Sequence, residues 1–305
     1  MRALVALRHG GPEVLEFQPN LPDPTPAPDQ VLIEVQSSGV NFADVSSVRG
    51  TYPTPPPPFT PGLEVAGIER GSGRRVMALV SGGGYASLAV APRSMVFDAS
   101  QLDLSEAGAY ALVTITCHLG LSGMAHLQPG ESVLVLAGAG GIGSTAIQVA
   151  KALGAGEVVA VASTPEKRAF AISVGADRAV GYEDDFPACD VALDGVGGEA
   201  FAKAYAAAPP FGRIVMIGTS SGQQPTLPDA GDLRNRTVTL IPFSFGALRR
   251  AHPELVTKLA PAAVDLLRAG LVRPPIGLTL PLAEGATAVA KLADRATMGK
   301  VVLLP

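Results

Sequence analysis

Cysteine is scarce in this 305-residue chain: Cys117 and Cys189 are the only two, and they share no paired spacing. That excludes a disulfide framework and a four-cysteine structural zinc cluster, and it makes a reducing cytosol the expected compartment, so a cytoplasmic location is predicted. Histidine is sparse too, with His9, His118, His126 and His252 scattered along the sequence. The neighbours Cys117 and His118 would point different ways on a helix, so no metal-ligand set emerges and none is predicted. Neither sign of charge dominates. Lys and Arg number 23 against 27 Asp and Glu, a net charge of −4 that gives no electrostatic reason to expect nucleic acid or an anionic membrane surface as a partner. Ser132 to Ala150 carries no charge and approaches the length of a membrane span. Its glycines, its flanking Glu131 and Lys151, and a change of pattern midway argue against a span, so no membrane association is expected. The opening run Met1–Leu7 is interrupted by Arg8 and His9 and followed by Gly10-Gly-Pro12, which reads as a first strand rather than a leader. Neither a nucleophile triad nor a suggestive pair of carboxylates is present.

What the sequence does have is a concentrated glycine motif, in Glu131-Ser-Val-Leu-Val-Leu-Ala-Gly-Ala-Gly-Gly-Ile-Gly-Ser-Thr-Ala-Ile-Gln-Val-Ala-Lys151. Ser132 to Ala137 is an apolar, β-branched run suited to a strand buried on both faces of a parallel sheet. Gly138, Gly140 and Gly143 follow at G-x-G-x-x-G spacing, and the residues after them have the apolar face of a helix packed on a sheet. Gly138 is expected to permit the tight turn, Gly140 to let a pyrophosphate approach the backbone, and Gly143 to let helix and strand pack closely. The helix amino terminus, through Gly140, Gly141, Ile142 and Gly143, would then offer N–H groups to phosphate.

To about residue 100 the chain reads as short strands separated by Gly and Pro clusters, which predicts a small antiparallel or barrel-like domain. The proline-rich stretches Asn20–Asp29 and Pro53–Pro61 are expected to be stiff connecting loops. A long helical pattern runs from Ser105 to His126. Strand and helix then alternate from Glu131 to about residue 217, with one more strand at Thr237–Phe243, so an α/β, doubly wound parallel sheet is expected. Helices over Pro253–Ala269 and Leu282–Leu292 and a closing strand at Lys300–Leu304 are expected to return to the first domain.

Several segments together carry a family resemblance: Gly39-Val-Asn-Phe-Ala-Asp44, Arg49-Gly-Thr-Tyr-Pro53, Pro61-Gly-Leu-Glu-Val-Ala-Gly67, Gly138-Ala-Gly-Gly-Ile-Gly143, Leu153-Gly-Ala, Asp194-Gly-Val-Gly-Gly198, Gly212-Arg-Ile-Val-Met-Ile-Gly218 and Gly299-Lys-Val-Val-Leu303. In this order they resemble the quinone oxidoreductase (zeta-crystallin-like) branch of the zinc-independent medium-chain dehydrogenase/reductase superfamily. The resemblance implies a GroES-like, β-rich catalytic domain over 1–105, a Rossmann nucleotide-binding domain over 106–244, and a return to the catalytic domain over 245–305. It also implies a homodimer formed through the last strand of the nucleotide sheet, near Thr237–Pro242.

Zinc alcohol dehydrogenases share this fold. In this sequence their cysteine position is taken by Asn41, and their Gly-His-Glu reads Gly62-Leu-Glu64, so zinc chemistry is not expected. The strand at Val158–Ala162 ends in Ser163-Thr164 with Lys167 and Arg168 following, where a site for NAD would carry an acid. Hydroxyls and cations suit a 2′-phosphate, and NADPH is the predicted cofactor. The resemblance adds Tyr182 as a further 2′-phosphate contact.

It places Asn41 beside the nicotinamide and substrate as a hydrogen-bond donor to a carbonyl oxygen, with Asp44 anchoring the turn. Tyr52 falls where related enoyl reductases carry a proton-donating tyrosine, and a phenol stays protonated at neutral pH. Thr116 matches a threonine bordering the nicotinamide ribose, although Cys117-His118 departs from the small-then-aromatic pair usual after it. Gly218 and Thr219 are expected at the carboxamide, Lys300 at phosphate or in solvent, and Phe243 and Phe245 in an acceptor wall or the core. The predicted activity is hydride transfer from NADPH to a quinone or other α,β-unsaturated carbonyl compound. A 2-enoyl thioester reductase and an NADPH-binding sensor or structural protein are the alternatives.

Overall fold

The computed structural model describes all 305 residues. They form two compact units, Met1–Val113 with Ile276–Pro305, and Thr114–Pro275. No helix is long and apolar enough to cross a membrane.

The second unit is built on a six-stranded parallel sheet. In spatial order its strands are Arg178–Val180, Glu157–Val161, Ser132–Val135, Val191–Asp194, Arg213–Met216 and Thr239–Pro242. Numbered along the chain the order is 3-2-1-4-5-6, the doubly wound arrangement that the strand–helix alternation predicted. The strands lack polar alternation because helices cover both faces: Val133, Leu134 and Val135 are all buried, as are Val158 to Val161. Phe201 and Tyr205 of the helix Gly198–Ala207 join Leu134, Val159, Val161, Cys189 and Ile214 in one core cluster.

The first unit holds a seven-stranded sheet along Ile276–Pro281, Lys300–Leu304, Gln30–Val40, Glu64–Glu69, Arg75–Leu79 and Val96–Asp98, with Leu88–Pro92 also paired to Gln30–Val40. Gln30–Val40 is its organising strand. Its first half alternates, burying Val31, Ile33 and Val35 while exposing Glu34 and Gln36, and its last four residues are all buried. The closing strand pairs antiparallel with this inner end, Val301 opposite Val40 and Leu303 opposite Ser38. That register sets Lys300 beside the point where the chain leaves the sheet at Asn41.

Two expectations need correction. The helical pattern Ser105–His126 is not one helix: Leu104–Ala107 and Ala111–His118 are separate, and Leu119–Met124 continues in wider π geometry. The break falls at Gly108, whose N–H donates to the Ser37 hydroxyl at 2.9 Å and where a Cβ would stand 2.2 Å from the Ser37 carbonyl oxygen. The organising strand presses on the backbone there, and a continuous helix has no room. The other concerns the last sixty residues. Only Ile276–Pro305 joins the first unit, while Phe245–Ala251 and Pro253–Arg268 stay with the parallel sheet.

Helix–strand contact in the second unit depends on Gly143. A Cβ at that position would lie 2.2 Å from the Ala137 carbonyl oxygen and 2.7 Å from the Gly138 Cα. Gly143→Ala is therefore expected to destabilise the protein by about 2 kcal/mol or more in denaturant unfolding. Gly123→Ala, whose Cβ would meet only Leu119 Cδ2 at 3.7 Å, should stay within about 1 kcal/mol of the parent.

Candidate active site

In the parallel-sheet unit, most predicted cofactor residues lie just beyond the carboxyl ends of parallel strands. The glycine turn follows Ser132–Val135, Ser163 and Thr164 follow Glu157–Val161, Tyr182 follows Arg178–Val180, and Gly218 and Thr219 follow Arg213–Met216. Parallel strands end on one edge, so the fold gathers these segments there. The strand order reverses between Ser132–Val135 and Val191–Asp194, where such sheets have their ligand crevice.

The glycine turn is built somewhat differently from the expectation. The left-handed residue is Ala137, with φ 53°, and not Gly138. Gly138 is needed instead for close approach to the next strand, since a Cβ on it would come within 2.6 Å of Ala160 Cβ. Gly140 caps the helix Gly141–Ala152 in extended conformation. The first-turn N–H groups, those of Gly141, Ile142 and Gly143, are the ones a helix cannot satisfy internally. Tyr182 closes on the same turn, its hydroxyl accepting from the Ala137 N–H at 3.1 Å.

At the second strand's end Ser163 is exposed, and Thr164 caps the helix Pro165–Ser173 by accepting from the Lys167 N–H. Arg168 donates to the Ala162 carbonyl at 3.4 Å and pairs with exposed Glu183 at 3.5 Å. Lys203 is a cation the sequence reading missed. Its ammonium donates to the carbonyls of Tyr182 (2.6 Å) and Asp184 (2.8 Å) and lies 5.2 Å from the Phe186 ring centre, fastening the Tyr182 loop. Backbone carbonyl partners leave no trace in a sequence, so no motif could have announced it.

Thr116 is 7% exposed. The unusual Cys117 beside it is buried, with its thiol directed at the Ile142 carbonyl at 3.5 Å, so a small residue fits against the glycine helix there. His118 is half-buried, and burial holds its imidazole below the ordinary pKa. Phe243 and Phe245 are core residues, 8% and 6% exposed.

In the strand-rich unit the structure joins residues from distant parts of the chain. Asn41 caps the helix Phe42–Val48, and its backbone N–H donates to Asp44 Oδ2 at 2.8 Å. That same oxygen accepts from the Tyr85 hydroxyl at 2.9 Å, and Asp44 Oδ1 accepts from the Gly62 N–H at 3.2 Å. Asp44 thus anchors the turn, as expected. Its burial raises the carboxyl pKa to about 6 against the opposing pull of the Asn41 and Tyr85 donors and of Lys300.

Lys300 is neither solvated nor left with a donor for phosphate, which corrects both readings of it. It is 2% exposed, and its Nζ donates to Asn41 Oδ1 at 2.5 Å, Glu64 Oε1 at 3.0 Å and the Val40 carbonyl at 3.3 Å. An ammonium has three hydrogens, and all three are used. Glu64, 0% exposed, also accepts from Asn41 Nδ2 at 2.9 Å and, through Oε2, from the Leu112 N–H at 2.9 Å. The other Asn41 Nδ2 hydrogen reaches the Gly39 carbonyl at a longer 3.3 Å. Gly39 is required here, because a Cβ would stand 2.4 Å from Glu64 Oε1. Glu64 and Tyr85 join this cluster without belonging to the predicted site residues. The signal available for Glu64 was a lone charge at the head of the apolar run Glu64-Val-Ala.

Tyr52 is half-buried and precedes the proline segment, which with Asp44, Ser47, Phe59, Leu63 and Gly82 borders a cavity of about 350 Å³. The Asp44–Tyr85 bond gives a pH-dependent expectation. Above about pH 6 Asp44 is ionised and the phenol's bond to it is charge-assisted; below that the carboxyl is protonated and the bond is an ordinary one. Tyr85→Phe should therefore cost about 1.5–3 kcal/mol in unfolding at pH 8 and clearly less at pH 5. A carbon-detected titration of Asp44 should show its midpoint rising in that variant, since a donor to the anion has been removed.

Comparison with known proteins accords with this geometry. Residues 27–83 match the alcohol dehydrogenase GroES-like domain, and residues 141–260 match the zinc-binding dehydrogenase family. The chain is 32% identical over 319 residues to a quinone oxidoreductase of Pseudomonas aeruginosa, covering 97% of each protein. It is 30% identical over 332 residues to the quinone oxidoreductase of Lama guanicoe, covering 100% of this chain and 97% of that one. The crystal structure of the quinone oxidoreductase from Thermus thermophilus, a protein also solved in complex with NADPH, superposes with TM-score 0.88 at 36% identity, covering 100% of both chains. With its glycine turn at the switch point of a doubly wound sheet and its strand-rich unit assembled from both chain ends, this protein belongs to the quinone oxidoreductase branch of the medium-chain dehydrogenase/reductase superfamily.

Proposed function

We propose that the chain binds NADPH along the carboxyl edge of its parallel sheet and reduces quinones or other α,β-unsaturated carbonyl compounds without zinc. One observation carries the reading: a helix amino terminus made approachable by Gly138, Gly140 and Gly143, beside a second strand that runs into the hydroxyl pair Ser163-Thr164 rather than an acidic residue. Glycine is sterically demanded at 138 and 143, so the turn is held close to the sheet, and the Gly141, Ile142 and Gly143 N–H groups suit a pyrophosphate. Ser163, Lys167 and Tyr182 suit a 2′-phosphate. The NADPH complex of the Thermus thermophilus relative supports the same cofactor for this chain.

Bound NADPH would supply the hydride. The chain's own residues bind, orient and exclude water. In this reading Thr116, Gly218 and Thr219 border the nicotinamide, the Asn41 amide faces the acceptor oxygen with the hydrogen it shares weakly with Gly39, and the Tyr52 hydroxyl returns the proton. The residues do not fit zinc. Asn41 and Leu63 stand at the cysteine and histidine positions of the metal-dependent branch, and no three His, Cys, Asp or Glu side chains converge. Thr239–Pro242 is the last strand of its sheet, with Leu240 and Ile241 half-buried and Pro242 at its end, features that support pairing with a second copy.

Absorbance at about 340 nm with a panel of benzoquinones, naphthoquinones, enones and enoyl thioesters tests the proposal. NADPH should be consumed with quinones or enones, with kcat/KM at least about tenfold above that for NADH, and Lys167→Ala should raise the KM for NADPH while sparing that for NADH. Equal efficiency with both coenzymes ends the NADPH assignment, and turnover confined to enoyl thioesters ends the quinone one. Tyr52→Phe is expected to lower kcat for enones about 10²-fold, and an unchanged kcat removes it as the proton donor.

A further inference from the structure

Lys300 presents a physical puzzle. A buried ion pair is a poor source of stability, because desolvating two charges costs about what their attraction returns, and apolar residues of like volume often serve as well or better. Yet Lys300 and Glu64 are 2% and 0% exposed and bring together sequence positions 236 residues apart. What the pair does visibly is hold Asn41.

The Asn41 amide is gripped at both ends. Its oxygen accepts the shortest of the Lys300 bonds, at 2.5 Å, and its nitrogen donates to Glu64 Oε1 at 2.9 Å. An amide flipped about its last torsion would put NH2 against an ammonium and a carbonyl oxygen against a carboxylate, two repulsive contacts in place of two charge-assisted bonds. The charges therefore specify one orientation. They also polarise the amide: an ammonium on the oxygen withdraws electron density, which strengthens the remaining Nδ2–H as a donor. That remaining hydrogen has only the 3.3 Å contact to the Gly39 carbonyl, a long bond for this cluster.

We propose that Lys300 is a positioning residue, its buried ammonium fixing the Asn41 amide with the oxygen inward and the second Nδ2 hydrogen available to an acceptor oxygen, while Glu64 secures the other hydrogen. The inference rests on the proposed reductase function for its catalytic consequence, but its geometric content stands on the hydrogen-bond pattern alone. It assigns to the closing strand a part in the reaction beyond completing the sheet.

The test uses the full chain in three variants, Lys300→Met, Glu64→Gln, and the two combined. Each single change strands one buried charge and should lower the melting temperature. The double change removes both charges and should recover most of that loss. With a quinone acceptor, all three should show kcat about thirty-fold below the parent and an NADPH dissociation constant within about twofold of it. The Asn41 side-chain NH2 signals in a nitrogen–proton correlation spectrum supply a readout free of turnover: two resolved, slowly exchanging hydrogens in the parent, and fast exchange in the double variant. A double variant whose kcat lies within about threefold of the parent, or whose Asn41 signals are unchanged, overturns the proposal. A purely structural pair would give that first result, since stability and kcat would recover together. If the parent consumes no NADPH with any acceptor, it is the reductase reading that fails, and the amide signals still decide the role of Lys300.

Discussion

The strand-rich unit depends on the chain's last strand, Lys300–Leu304, reaching back to Gln30–Val40. Lys300–Leu304 lies between Ile276–Pro281 and Gln30–Val40, and without it the inner end of Gln30–Val40 would be unpaired on the side away from Glu64–Glu69. The same pairing delivers an ammonium to the spot where Asn41 leaves the sheet, and Glu64 comes from the neighbouring strand on the opposite side. Three segments remote in sequence thus converge because a sheet register puts them there. The charges can be buried because all three Lys300 hydrogens and both Glu64 oxygens have partners, which is the condition under which such groups are tolerated in a low-dielectric interior.

The parallel-sheet unit rests on a steric constraint rather than an electrostatic one. The helix Gly141–Ala152 lies so close to the preceding turn that position 143 tolerates no side-chain carbon, and position 138 is similarly pressed by Ala160. Close packing of this kind leaves a backbone edge where a large charged ligand can approach N–H groups directly. The two units therefore arrive at functional geometry by different routes, one through paired charge and one through missing atoms.

Much of this was legible in the sequence. Strand–helix alternation and the spacing of Gly138, Gly140 and Gly143 pointed to the doubly wound order, because buried parallel strands and their crossover helices impose both periodicities on the chain. Asp44 was read correctly as a turn anchor. What escaped was everything set by tertiary register. Lys300 looked like a surface or phosphate-reaching cation because lysine usually is one, and only the pairing of Val301 with Val40 reveals its partners. Lys203 binds backbone carbonyls, and the interruption at Gly108 comes from a strand about seventy residues earlier, so neither has a local signature. The turn residue with positive φ proved to be Ala137, where a glycine would have been the natural guess.

The burial of the two thiols carries a chemical consequence for the proposed substrates. Quinones and enones are electrophiles that alkylate thiolates by conjugate addition. Cys117 is wholly enclosed against the glycine helix, and Cys189 is 5% exposed with its pKa pushed up to about 11 by burial. At neutral pH the chain offers such compounds no accessible thiolate, so if they are its acceptors they find no cysteine on it to arylate.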